Sequence, residues 1–135
     1  MNPLHLVANL PDFLMYLGGS FALTAIYMVI YTAITPHSEW KLLREGNLSA
    51  ALALGSSLLG FVLPLASAIA HSISILDCAI WGGIALVVQV LAFFVLRLLI
   101  PTLSTDITAD KRGSATIAAF FFVSVGVLNA ACLSW

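Results

Sequence analysis

Leu48-Ser-Ala-Ala-Leu-Ala-Leu-Gly-Ser-Ser-Leu-Leu-Gly-Phe-Val-Leu-Pro-Leu-Ala-Ser-Ala-Ile-Ala-His71 decides how the whole chain is read. Wound as a helix, it puts Ser49, Ala53, Ser56, Gly60, Pro64, Ser67 and His71 on one narrow face, because their spacings alternate between three and four. The opposite face carries Leu54, Leu58, Phe61, Leu65 and Ile69. In water the bulky side would turn inward. In a bilayer the reading inverts: lipid tails are as apolar as leucine, and helices meet through small residues that let backbones approach and hydroxyls find partners. The expectation is a central packing or cavity-lining helix whose bulky side faces lipid.

Composition supports the bilayer. Of the 135 residues, 61% are hydrophobic and 8% charged, with mean hydropathy +1.10; a water-facing domain of this size carries about 25% charged residues. Four apolar runs, Phe13–Ile34, Leu48–Ala70, Cys78–Ile100 and Ser114–Leu133, each reach roughly 30 Å at about 1.5 Å per residue, the hydrocarbon thickness. The expected fold is an all-α integral membrane protein, a single transmembrane domain over residues 1–135, with no room for a soluble domain in its short connections. A net charge of −1 without a basic cluster excludes nucleic acid as a partner. Residues 1–11 hold no Lys or Arg, and the run that follows is too long for the core of a signal peptide, so the first run is expected to be a retained helix.

The remaining spans repeat the small-face pattern. The first has a polar stripe, Tyr16, Ser20, Thr24, Tyr27 and Tyr31, and ends at Pro36. The third carries Cys78, Gly82, Ala85, Gln89 and Ala92, and the fourth Ala115, Ala119, Gly126 and Asn129. Pro64 removes the hydrogen bond to the Gly60 carbonyl, which a neighbour or water must then satisfy. The first connection, residues 36–46, is expected to form one or two amphipathic turns with Trp40 and Leu43 among the headgroups. Gly46 would follow those turns, and Asn47 would cap the next helix. Two stretches share punctuation: a Pro after the first helix (Pro36, Pro101), then Gly plus a small polar residue (Gly46-Asn47, Gly113-Ser114) before the second. The spans therefore read as two parallel-repeated hairpins, about 12–71 and about 77–135.

All five basic residues fall at one end: Lys41 and Arg44 in the first connection, Lys111 and Arg112 in the third, and Arg97 beside it at the end of the third span. The excess of positive charge in cytoplasmic loops puts that end, with Trp40 and Tyr31, inside, and both termini, with Trp81 and Trp135, outside.

Chemistry is sparse. Asp12, Asp77, Asp106, Asp110, Glu39 and Glu45 all read as interfacial or loop residues, which disfavours proton coupling. Arg97, near a helix end, reads as snorkelling to headgroups. His71, Asp77, Cys78 and Cys132 share the outer end without the spacing of a metal site, and no Cys78–Cys132 disulfide is expected. No catalytic constellation, cofactor motif or metal motif is present. Gln89 and Asn129, the two amides within spans, are expected to bond a serine of the second span or, alternatively, to form polar rungs in a pore.

Thr35-Pro-His-Ser-Glu-Trp40, Gly46-Asn47, Leu58-Leu-Gly-Phe-Val-Leu-Pro-Leu65, Trp81-Gly-Gly-Ile-Ala-Leu86 with Gln89, and Asn129-Ala-Ala-Cys-Leu-Ser-Trp135 together resemble the YjfL family of small bacterial inner-membrane proteins. The resemblance implies four helices in two hairpin repeats, a bacterial plasma membrane and no assigned catalytic residue. It also implies an envelope-stress context in which partner proteins are recruited. Two functions follow as expectations. One is a non-enzymatic protein that self-associates into a homo-oligomer as a scaffold. The other is an oligomeric channel lined by Ser56, Gly60 and Ser67, without a charged ring to select ions.

Overall fold

A computed structural model describes residues 3–36 and 38–133. Among them are six helices and no strand: α1 (Pro3–Ile34), α2 (Glu39–Arg44), α3 (Leu48–His71), α4 (Ile75–Leu99), α5 (Leu103–Thr108) and α6 (Arg112–Cys132). Four of them, α1, α3, α4 and α6, are long and apolar enough to cross a membrane. The chain folds as expected into four spans, with two differences of extent. First, α1 continues through Pro11 to Pro3, making 32 residues, so residues 3–12 are not a separate segment. At about 1.5 Å per residue α1 is roughly 48 Å long, well beyond the hydrocarbon thickness. Second, the third connection holds a helix of its own, α5, anchored by buried Leu103 and Ile107, one turn apart.

The central helix is α3, which packs against α1, α4 and α6, most extensively against α6. Its small face is enclosed: Ser49, Ala53, Ser56, Gly60 and Pro64 are buried and Ser67 is half-buried. The bulky face is not the lipid face. Leu54, Phe61 and Leu65 are buried as well, and Ile69 packs against the core. The reason is the number of neighbours: a helix gripped by three others buries its leucines as well as its serines. What α3 turns outward is a third strip, Leu48, Ala51, Gly55, Leu59, Ala66 and Ala70.

Tyr31, expected at the inner interface, is instead a core residue at 1% exposure. With Tyr27, Phe61, Phe93 and Phe122 it builds an aromatic centre. Tyr27 stacks on Phe61 (centroids 4.7 Å, 14°), and Phe93 meets Tyr31 edge-on at 5.6 Å. Glu39 is also buried (2%) at the start of α2, so one acid is shielded by the fold although it lies outside the spans. Trp135, expected at the outer interface, lies outside the described residues.

The turns after α2 and α5 have one hydrogen-bond pattern. Gly46 N donates to Leu43 O and Asn47 N to Leu42 O; Asp110 N donates to Ile107 O and Lys111 N to Asp106 O. Each pair of equivalent residues is 64 positions apart (46 to 110, 47 to 111). This is the bond pair of a helix that ends in a left-handed residue, supplied by Gly46 (φ 78°) and Asp110 (φ 56°). The turn at Asp110 therefore has the same form as the turn at Gly46. An aspartate tolerates this conformation better than most side chains.

Candidate functional site

All four spans meet at one polar node. Tyr27 of α1 and Ser57 of α3 hydrogen-bond through their hydroxyls. Gln89 of α4, fully buried, donates through Nε2 to the carbonyls of Ser57 (3.4 Å) and of Phe122 on α6 (3.5 Å). These bonds are long, and Gln89 Oε1 is buried without a hydrogen-bond partner, so the amide is held by enclosure as much as by bonding. Gln89 thus reaches a serine of α3 as expected, but through its carbonyl. The neighbouring Ser56 returns its own hydroxyl to Ala53 O at 3.1 Å.

The node is sealed by glycine. A Cβ on Gly60 would run into the Gln89 amide and the Phe122 carbonyl, and a Cβ on Gly126 would run into the Gly60 backbone. The Gly60 carbonyl, freed by Pro64, therefore lies against the Gly126 backbone and is covered by α6; a weak Cα–H contact is what this approach offers it. Further along the same face Ser67 Oγ donates to Ala130 O at 2.9 Å. Gly82 accepts Leu23 of α1 and Leu65 of α3, whose methyls would lie 2.8 and 3.3 Å from a Cβ there. Asn129 is half-buried and its Nδ2 has no partner among the described residues. The node consists of a phenol, a hydroxyl, an amide and backbone carbonyls, none of which ionises near neutral pH. Its chemistry is that of a hydrogen-bonded lock between helices.

A second cluster joins the two connections at the basic end. Asn47 Oδ1 accepts from Ala50 N (2.9 Å), capping α3, while its Nδ2 donates to Ile107 O (2.9 Å) at the end of α5. In return Asp110 Oδ1 accepts from Ser49 N (3.0 Å) and Ser49 Oγ (2.7 Å). Two of the orphan N–H groups of α3 are thus satisfied, one from the first connection and one from the third. Asp106 Oδ2 accepts from Ser114 Oγ (2.7 Å) and Thr102 Oγ1 (3.1 Å).

These bonds hold both carboxyls below the usual carboxylate range. For Asp110 the main causes are the Ser49 hydroxyl and N–H, with Arg112 adding to them; for Asp106 the Ser114 hydroxyl leads, helped by Thr102 and Lys111. The cations Lys111 and Arg112 lie 3.7 Å from Asp106 and 3.8 Å from Asp110. Trp40, Lys41, Arg44 and Arg97 are exposed around this end.

Sequence reasoning missed Ser57, which sits only about 20° round the helix from Pro64 at 3.6 residues per turn and would have been found by widening the small face. It also missed the joining role of Asp110, which no periodicity signals because the contact is long-range. At the far end Cys78 is buried, Cys132 is exposed, and both are free thiols.

Residues 5–133 match the family model described as Domain of Unknown Function (DUF350). The chain is 39% identical over 132 residues to the UPF0719 inner membrane protein YjfL of Escherichia coli (strain K12), covering 98% of this chain and 100% of that protein. It is 24% identical over 102 residues to the UPF0719 transmembrane protein YshE of Bacillus subtilis (strain 168), covering 76% of each. No solved structure matches. The resemblance read from the sequence motifs is borne out.

Proposed function

The chain belongs to the DUF350 family and is, like its E. coli relative, a multi-pass inner-membrane protein; from that premise we propose that it acts by assembling in the membrane as a homo-oligomeric scaffold, without catalysis. The observation that carries this reading is the outward strip of α3. The small face expected to drive association is used up inside the subunit, against α6. The central helix nonetheless reaches lipid through Ala51, Gly55, Ala66 and Ala70, and Gly55 has nothing within 4 Å of a Cβ. Small residues four apart are what closely approaching membrane helices use, and a core helix with no further neighbour gains nothing from them.

In this reading the basic end is cytoplasmic, both termini are outside, and the two hairpins are parallel repeats, a relation supported by the matching turns at Gly46 and Asp110. Recruitment of envelope-stress proteins is the cellular role that fits an assembling protein without a reactive site. The alternative, a pore lined by Ser56, Gly60 and Ser67, ranks second because α6 would have to leave that face first.

The test is mass in nanodiscs, with cysteines placed at Ala51 and Ala66 for crosslinking. Wild-type protein is expected to run as an oligomer and to crosslink between identical positions. Gly55→Leu should yield a folded monomer. A wild-type monomer in lipid, or an oligomer indifferent to Gly55→Leu, would overturn the assembly reading.

A further inference from the structure

Arg97 and Lys41 differ from the other three cations at their end of the bundle in having no hydrogen bond or ion pair among the described residues. Lys111 and Arg112 face carboxylates, and Arg44 Nε donates to Trp40 O. Of the two, only Arg97 has apolar surroundings, since Lys41 lies beside Ser38, Glu45 and Thr108. Arg97 is in the last turn of α4. Its surroundings are apolar: it shares an open groove of about 480 Å³ with Phe94, Leu98 and Pro101, and Leu98 is 82% exposed.

Its depth is also distinct. Leu96 and Leu99 of α4, with Ile100 just after it, lie across a groove from Ile117, Phe120 and Phe121 of α6. The end of α4 is therefore level with Ile117, five residues inside the start of α6 at Arg112. At about 1.5 Å per residue, the end of α4 lies roughly 7 Å deeper than Arg112, and Arg97, two residues before that end, is rooted deeper still.

A guanidinium rooted at the hydrocarbon margin beside apolar side chains snorkels outward to the headgroups, where an anion can meet it. The anion that exists at that depth, already joined to a chain that fills an apolar groove, is the phosphate of a phospholipid. Arginine suits it, because its planar fork meets two phosphate oxygens at once. No carboxylate lines the groove, so nothing there would receive the ammonium of a zwitterionic headgroup, and a net anionic lipid is favoured. We propose that Arg97 anchors the phosphate of an anionic phospholipid whose acyl chain lies along Phe94 and Leu98.

The test uses the full chain, purified from mixed membranes of phosphatidylethanolamine with phosphatidylglycerol as the minor lipid, and native mass spectrometry of the lipids retained. Wild-type protein should retain phosphatidylglycerol above its bulk fraction. Arg97→Gln should lower that retention about fivefold, the scale of one basic residue at an anionic surface, and Arg97→Lys should fall between. Lys41→Gln, outside the groove, should retain lipid as wild type does. Because Arg97 is exposed, Arg97→Gln should melt as wild type does in phosphatidylcholine nanodiscs, which separates lost lipid from lost fold. Equal retention by wild type and Arg97→Gln, an equal loss in Lys41→Gln, or displacement of the retained lipid by inorganic phosphate alone would each overturn the proposal.

Discussion

α6 and α1 both pack on α3, but in different ways. α6 approaches until Gly126 meets the Gly60 backbone, and it is fixed at several levels by Ser67, Gln89 and the Ser49–Asp110 pair. α1 touches the bundle through the ends of long side chains, Leu23, Tyr27 and Tyr31, and in its most apolar stretch only 6% of positions are buried, against 22% for α6 and 44% for α3. One contact is made by backbones and the other by side-chain tips. Without a hydrophobic driving force between helices in lipid, the first depends on shape and the second on a few bonds. Substitutions should therefore be tolerated very differently along the two helices.

The sharpest test is Gly126→Leu. A branched side chain there has to displace the Gly60 backbone, and we expect a loss of about 3 kcal/mol or more, read as failure to refold in detergent–lipid micelles. A stable Gly126→Leu subunit would mean that α3 and α6 do not touch as described. The next largest effect belongs to the bond that ties α1 to the node. A double-mutant cycle of Tyr27→Phe and Ser57→Ala, followed by denaturant unfolding in the same micelles, should give a coupling of about 1 kcal/mol, the scale of hydrogen bonds between membrane helices. A coupling near zero would leave α1 held by packing alone.

The latch between connections adds a pH dependence to the α6 side. Asp106 and Asp110 are both held below the usual carboxylate range. The unfolded chain therefore takes up protons first as pH falls. The stability these groups contribute is complete above the ordinary carboxylate range and is lost as pH drops through their lowered folded values. Asp110→Asn should flatten the acid limb of a melting-temperature profile, and Ser49→Ala should flatten part of it. An acid limb unchanged in Asp110→Asn would remove Asp110 as its source. The smallest effect is expected at Gly18 of α1, where a Cβ meets nothing within 4 Å. Gly18→Ala should stay within about 1 kcal/mol of wild type and could stabilise through helix propensity, so a marked loss there would erase the contrast between the two helices.

The four spans were legible because length and the scarcity of charge determine them. The small face of α3 was legible because period and residue size agree along it. The fate of Leu54, Phe61 and Leu65 was not, because the rule that bulky faces meet lipid holds for a helix at the edge of a bundle and not for one with three neighbours. Tyr31 and Glu39 were assigned to an interface by residue type, but both are buried, Tyr31 among the aromatic rings of the spans. α5 was within reach, since Leu103 and Ile107 are one turn apart, but a run of six residues carries too little periodicity to stand out. Ser57 was missed by a small angle and Asp110 by a long separation in sequence, the two ways in which a one-dimensional pattern loses a three-dimensional contact.

The reciprocal capping between the connections also orders events during synthesis. Ser49 and its acceptor Asp110 are 61 residues apart, so the first turn of α3 has left the ribosome well before the group that completes it exists. At about 5–20 residues per second the wait is roughly 3–12 seconds, long compared with helix formation. During that interval the first hairpin sits in the bilayer with its inner small face open, and the arrival of α6 both closes that face and finishes the α3 terminus. A chain stalled or cleaved between the hairpins would expose the surface on which a membrane quality-control protease could act.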